Sequence, residues 1–222
     1  MSQHDYLRTR WNQHAIKNNL SKYDDVKAKE AAEEVVKILI EMFPNHTFEI
    51  KSKLTFNQIE KYTNRNFNIN YDYSNRGMKP DGGIIWMDDK YPILISEMKR
   101  QGTNNEREKE GKKKQATGNA IERLGKNLKG LDCLYENDDI LPFICFCWGC
   151  DVVDETVLGK LYTLNSFNEI NIIYDTPTKK RNKPFTFLLK EETPFTLEEM
   201  VVPMLQVAES AIRYYEVKEQ NI

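Results

Sequence analysis

The 222 residues contain no apolar run near the roughly 18 that a membrane-spanning helix needs. Met1-Ser2-Gln3-His4-Asp5-Tyr6 has no basic stretch leading into an apolar one, so no export signal is expected and the chain is predicted to be cytoplasmic. Histidine is scarce, at three positions (4, 14 and 46), none with metal-ligand spacing to a thiol. There is no internal repeat and no linker, which predicts one domain over 1–222. Net charge is also nearly absent, at −2, and a basic footprint is what usually betrays a nucleic-acid partner. That sum hides a partition. Lys99 to Lys129 carries ten Lys/Arg and four acids, a +6 band that leaves −8 for the rest of the chain.

What is present supports a full core, with 40% hydrophobic and 11% aromatic residues. The four cysteines lie between 133 and 150, and Cys145-x-Cys147-x-x-Cys150 could open a metal–thiolate site. Its setting, Pro142-Phe143-Ile144-Cys145-Phe146-Cys147-Trp148, reads better as a buried strand with free thiols.

Periodicity predicts a helix over 24–43, from Ala28, Ala31, Ala32, Val35 and Leu39, with 1–20 as an N-terminal arm. Thr55-Phe56-Asn57-Gln58 is a capping box for a short helix to about Tyr62, and 64–80 reads as loop. Gly83–Met87 and Tyr91–Lys99 are expected to pair as a hairpin across Asp88-Asp89-Lys90. Thr103–Gln115 has no apolar side chain and reads as a solvated arm or a segment ordered by a partner. A helix over 119–135, the cysteine strand, a helix over 155–161, strands near 170–174 and 185–189, and an acidic helix over 196–218 broken at Pro203 complete the order.

The hairpin places Asp81, at the entry of its first strand, beside Glu97, near the end of its second. Glu97 and Lys99 are two apart and share a face. Two carboxylates and an ammonium at one rim suit a hard divalent cation such as Mg²⁺ and a phosphodiester substrate. The same residues also describe an ordinary turn and an edge-strand charge pair. Likewise, Asn119-x-x-Glu122-Arg123 describes either a helix cap with a solvated face or a reader of base edges, where Asn pairs with adenine, Glu accepts from an amino group and Arg donates to purine N7.

Three blocks in fixed order go further: Lys79-Pro80-Asp81-Gly82-Gly83, Glu97-Met98-Lys99-Arg100-Gln101-Gly102 and Gly118-Asn119-Ala120-Ile121-Glu122-Arg123. Together they closely resemble the EcoRI/MunI-like type II restriction endonucleases of the PD-(D/E)xK superfamily, over about residues 24–150. The resemblance implies an α/β (α+β) fold with a central mixed β-sheet flanked by helices, acting as a homodimer on double-stranded DNA. It implies Asp81 and Glu97 as Mg²⁺ ligands and Lys99 as the catalytic lysine. Gly118, Asn119, Ala120, Glu122 and Arg123 would belong to the recognition helix, with Arg100 and Gln101 also at the DNA. The arm 103–115 would wrap the duplex. The implied site is a palindrome containing AATT, cut to leave 5′-phosphates and AATT 5′ overhangs, with outer bases met by Gln115, Ala116 and Thr117. Other readings are a repair or recombination nuclease of this fold, a regulator that binds without cutting, and an RNA- or protein-binding module with a basic loop.

Overall fold

A computed structural model describes residues 3–63, 77–102, 104–113, 119–135, 137–161, 185–191 and 193–220. The first helix, α1 (Gln3–Met42), starts well before the periodic segment and takes in most of the expected arm. Residues 3–42 contain neither Gly nor Pro, so a helix nucleated on the buried alanine face propagates back without a breaker. It stops where Pro44 disfavours helical geometry at Phe43.

Strands β1 (Phe48–Lys51), β4 (Gly83–Met87), β5 (Tyr91–Arg100), β6 (Phe143–Trp148) and β7 (Thr186–Lys190) form one sheet in the order β1-β4-β5-β6-β7. β1, β4 and β5 run antiparallel, and β6 and β7 follow β5 in parallel. The architecture is therefore α/β with a mixed sheet, as the resemblance implied. The β4–β5 hairpin closes as expected. Asp88 (φ 56°) and Asp89 (φ 51°) both take the left-handed conformation, the turn that matches strand twist. Asp88 holds it by accepting from the Thr47 backbone N–H at 2.8 Å. A register shift between Ile85 and Trp86 lets Ile93 and Leu94 both join one core layer.

One face of the sheet packs on α1 and the closing helix α6 (Leu197–Gln220) through Ala28, Ala31, Val35, Ile85, Leu94, Phe146, Met204 and Ile212. The other packs on α2 (Phe56–Thr63) and α4 (Asn119–Asp132) through Ile59, Trp86, Ile95, Leu124, Leu128 and Phe143. The capping box of α2 forms in both directions: Thr55 Oγ1 accepts from Gln58 N–H at 3.3 Å and Gln58 Oε1 accepts from Thr55 N–H at 2.8 Å. A helix over 155–161, α5, also forms where expected.

Besides the start of α1, three expectations need correction. Pro203 lies inside an unbroken α6, because the buried stripe Met200, Met204, Ala208, Ala211 and Tyr215 secures both sides of the missing hydrogen bond. Within 64–80, Gly77–Met78 forms β3, pairing with β2 (Leu54–Thr55). Within 103–115, Asn104–Lys109 forms the short helix α3, with Asn104 buried. The strand expected near 170–174 lies outside the described residues.

Candidate active site

Parallel strands β5 and β6 end together on one side of the sheet, and β4 begins there because it runs opposite to β5. Asp81, just before β4, therefore meets the last turn of side chains of β5. Lys99 Nζ donates to Asp81 Oδ2 at 2.8 Å, to Glu97 Oε2 at 2.7 Å and to the Met98 carbonyl at 3.0 Å. Asp81 Oδ2 also accepts from the Met98 N–H at 3.0 Å. Glu97 is 1% exposed, and Asn127 of α4 donates its Nδ2–H to Glu97 Oε1 at 2.8 Å. The three residues singled out in the sequence thus form one cluster, on the face of the sheet that α4 covers.

Their protonation follows from burial and charge. Burial raises Glu97 to about 7, more than the Lys99 charge lowers it. For Asp81, burial pushes up, but hydrogen bonding with Glu97 and the charge and hydrogen bond of Lys99 outweigh it and hold the carboxyl below 3.8. For Lys99, burial pushes down, while Glu97 and Asp81 together push harder the other way and keep the ammonium charged. The result is one firm carboxylate, one acid poised near neutrality and one permanent cation.

That donor set fits a hard divalent ion. Asp81, Glu97 and the Met98 carbonyl offer only oxygen, and Lys99 already shows that a positive charge is stabilised among them. Two carboxylates suffice for an ion that completes its shell with water and phosphate oxygens. The thiols fit poorly. Burial raises Cys147 to about 12 and Cys145 well above its ordinary value, so both stay protonated inside the core.

Position of Asp81 depends on a close approach. A Cβ on Gly82 would lie 2.0 Å from Ser96 Oγ and 3.0 Å from the Ala28 carbonyl of α1. Gly82→Ala is expected to force the strand entry off α1 and cost roughly 1–3 kcal/mol, with Asp81 displaced. Urea denaturation checks this, and wild-type stability would contradict it.

The proposed readers separate into two groups. Asn119 opens α4, Ala120 is half-buried, and Glu122 and Arg123 are exposed on its first turns. Glu122 Oε1 accepts from Lys160 of α5 at 2.6 Å. Gln115, Ala116, Thr117 and Gly118 lie outside the described residues. Arg100 turns to the opposite face from Lys99, its guanidinium 4.7 Å from the Trp148 ring. Gln101 is buried, with Nε2 lacking a hydrogen-bond partner among the described residues.

The sequence profile of restriction endonuclease EcoRI matches residues 12–173, a span that contains the whole cluster. The chain belongs to the EcoRI restriction endonuclease family. Type II restriction enzyme RsrI of Cereibacter sphaeroides is 27% identical over 232 residues, covering 85% of this chain and 83% of that one. Type II restriction enzyme EcoRI of Escherichia coli is 26% identical over 157 residues, covering 64% of this chain and 57% of its own length. Among the contacts at and around the cluster, sequence reasoning missed those of Asn127, Lys160 and Asp24. Asn127 had a faint signal, lying four residues past Arg123. Asp24 had none: its bond to Trp148 Nε1 at 3.2 Å joins residues distant in the chain.

Proposed function

We propose that this restriction endonuclease hydrolyses double-stranded DNA at a palindrome containing AATT, as a Mg²⁺-dependent homodimer, leaving 5′-phosphates and AATT 5′ overhangs. The observation that carries the reading is the Asp81–Glu97–Lys99 cluster set directly under α4, the helix that exposes Glu122 and Arg123.

Asp81 and Glu97 would hold the metal ion, whose charge would favour the ionised carboxylate at Glu97. Mg²⁺, when bound, supplies Lewis-acid charge at the phosphate and a more acidic water. Lys99, held between the two carboxylates, orients the attacking water and stabilises charge on the pentavalent phosphorus. Asn119, Glu122 and Arg123 contact base edges in the major groove, and the basic 103–115 segment approaches the backbone; Arg100, turned against Trp148, and the buried Gln101 are not placed to join them. Gln115, Ala116 and Thr117, with Gly118 and Ala120, set the register and outer bases. A two-fold dimer presents the same reader to each half-site, which a palindrome requires.

Incubation of plasmid DNA with the purified protein and Mg²⁺, followed by sequencing of fragment ends, tests this. Discrete ends with AATT overhangs are expected. Random nicking would assign the chain to non-specific nuclease work, and binding without cutting would make it a regulator; either result overturns the proposal.

A further inference from the structure

At the end of the sheet away from the catalytic cluster, His46 fills the corner between the β4–β5 turn and the last turns of α6. Its Nδ1 faces Asp88 Oδ2 at 2.7 Å and its Nε2 faces Glu216 Oε1 at 3.4 Å. An imidazole has two ring nitrogens, and only the protonated ring carries a hydrogen on both. A ring set between two carboxylates therefore satisfies both contacts when charged and one when neutral. The two contacts are unequal. Asp88 is fixed through its other oxygen, where Oδ1 accepts from the Thr47 N–H at 2.8 Å and the Thr47 hydroxyl at 3.2 Å. The neutral ring keeps its hydrogen on Nδ1 for that shorter, anchored bond, and Nε2 then turns a lone pair on Glu216.

Glu216 lies where such a change can be felt. Tyr215 is the last buried residue of α6, stacked on Tyr91 with ring centroids 4.2 Å apart. Beyond it no side chain of α6 is buried among the described residues, and polar contacts hold the helix end. Glu216 meets His46, Lys218 donates to the Asn137 carbonyl at 3.2 Å, and Glu219 accepts from Lys90 at 2.7 Å and from the Tyr91 hydroxyl at 2.6 Å. Other charges at this corner are engaged elsewhere: Asp89 and Glu49 share Lys51, and Arg213 is paired with Glu209. The Phe48 ring beside His46 adds no charge. Hydrogen bonding with Asp88, and less strongly with Glu216, raises His46 above its ordinary 6.5 against the opposing effect of burial.

We propose that His46 is a proton-operated clasp, drawing the last residues of α6 onto the β4–β5 turn when its ring is charged and leaving them to the Glu219 contacts when its ring is neutral. The folded protein holds this proton more tightly than the unfolded chain, whose histidine titrates near 6.5. The stabilisation is therefore complete below pH 6.5 and is lost as pH rises through the raised folded value. The neighbouring tie does not respond in that window, because its bonds to Glu219 and Tyr91 raise Lys90 to about 12. The clasp thus loosens one end of a helix whose buried stripe stays packed, at the opposite end of β5 from Glu97 and Lys99. It rests on no part of the nuclease reading.

The test compares the full-length wild type with His46→Gln, Glu216→Gln and Lys90→Met. NMR follows the His46 ring through a pH titration, its signal assigned by loss in His46→Gln. Amide exchange of residues 216–220 is measured at pH 6 and pH 8.5 and corrected for the intrinsic pH dependence of exchange. In wild type the ring should titrate above 6.5, and Glu216→Gln should lower its midpoint. Protection of 216–220 should fall about 2–5-fold between the two pH values, the scale of a partly exposed charge contact. His46→Gln and Glu216→Gln should show no such fall, with unchanged sheet resonances confirming that both are folded. Lys90→Met removes the tie that does not titrate, so it should lower protection at both pH values and keep the fall. A wild-type midpoint at or below 6.5, equal protection at the two pH values, or the same fall in His46→Gln overturns the proposal.

Discussion

Asp81→Ala is expected to lower single-turnover DNA cleavage by about 10³-fold, some 4 kcal/mol in the barrier, while the protein remains folded. Asp81 is the firmly ionised member of the cluster and the one whose oxygen joins Lys99 to the Met98 backbone. Its removal takes away half of the charge that would hold a cation. It also leaves Lys99 with Glu97 alone, which biases Glu97 toward the carboxylate and draws the ammonium toward it. The folding cost is small by comparison. Met98 N–H loses an acceptor at a half-buried rim, worth about 1 kcal/mol, and the hairpin below keeps every strand bond. Cleavage at the wild-type rate, with melting unchanged, would show that Asp81 has no part in the chemistry.

Asp24→Asn is expected to make the protein more stable at pH 8 and no more stable below pH 3.8. Asp24 is 5% exposed, and burial raises its carboxyl to about 6 despite the Trp148 hydrogen bond and the nearby Arg100 charge. A folded value above the unfolded 3.8 means the folded state holds the proton more tightly. The favourable contribution is therefore complete below pH 3.8 and disappears as pH climbs through about 6. Asparagine keeps an oxygen for the Trp148 N–H and cannot ionise, so the loss is avoided. The gain at pH 8 is about 2–3 kcal/mol. Urea denaturation of both proteins at the two pH values measures it, and a gain that is equal at both would refute burial as the cause.

Legibility of the fold divided along lines of chain distance. The β4–β5 hairpin could be read because its two apolar runs and its turn are contiguous, and hairpin pairing follows from proximity. The parallel pairings of β5 with β6 and β6 with β7 could not, since nothing local sets a register across an intervening helix. The start of α1 was placed too late because periodicity marks where a helix is buried, not where it ends. Pro203 was read as a break because its local penalty is visible in sequence, whereas the packing of α6 that offsets it is not. The site divided the same way. Asp81, Glu97 and Lys99 were legible because one hairpin carries all three. Asn127 and Asp24 act across elements, from α4 onto β5 and from α1 onto β6, and only the folded chain brings them to their partners.

That single hairpin has a consequence for how such a protein can change. The residues proposed to do chemistry lie within 81–99, while those proposed to read bases belong to a different segment of chain, beginning at 119. On that proposal, substitution in the first turn of α4 would alter which bases are met while every contact within the hairpin stays intact. Cutting and choosing would then be inherited on separate stretches of sequence, and a descendant could keep the one while it diverged in the other.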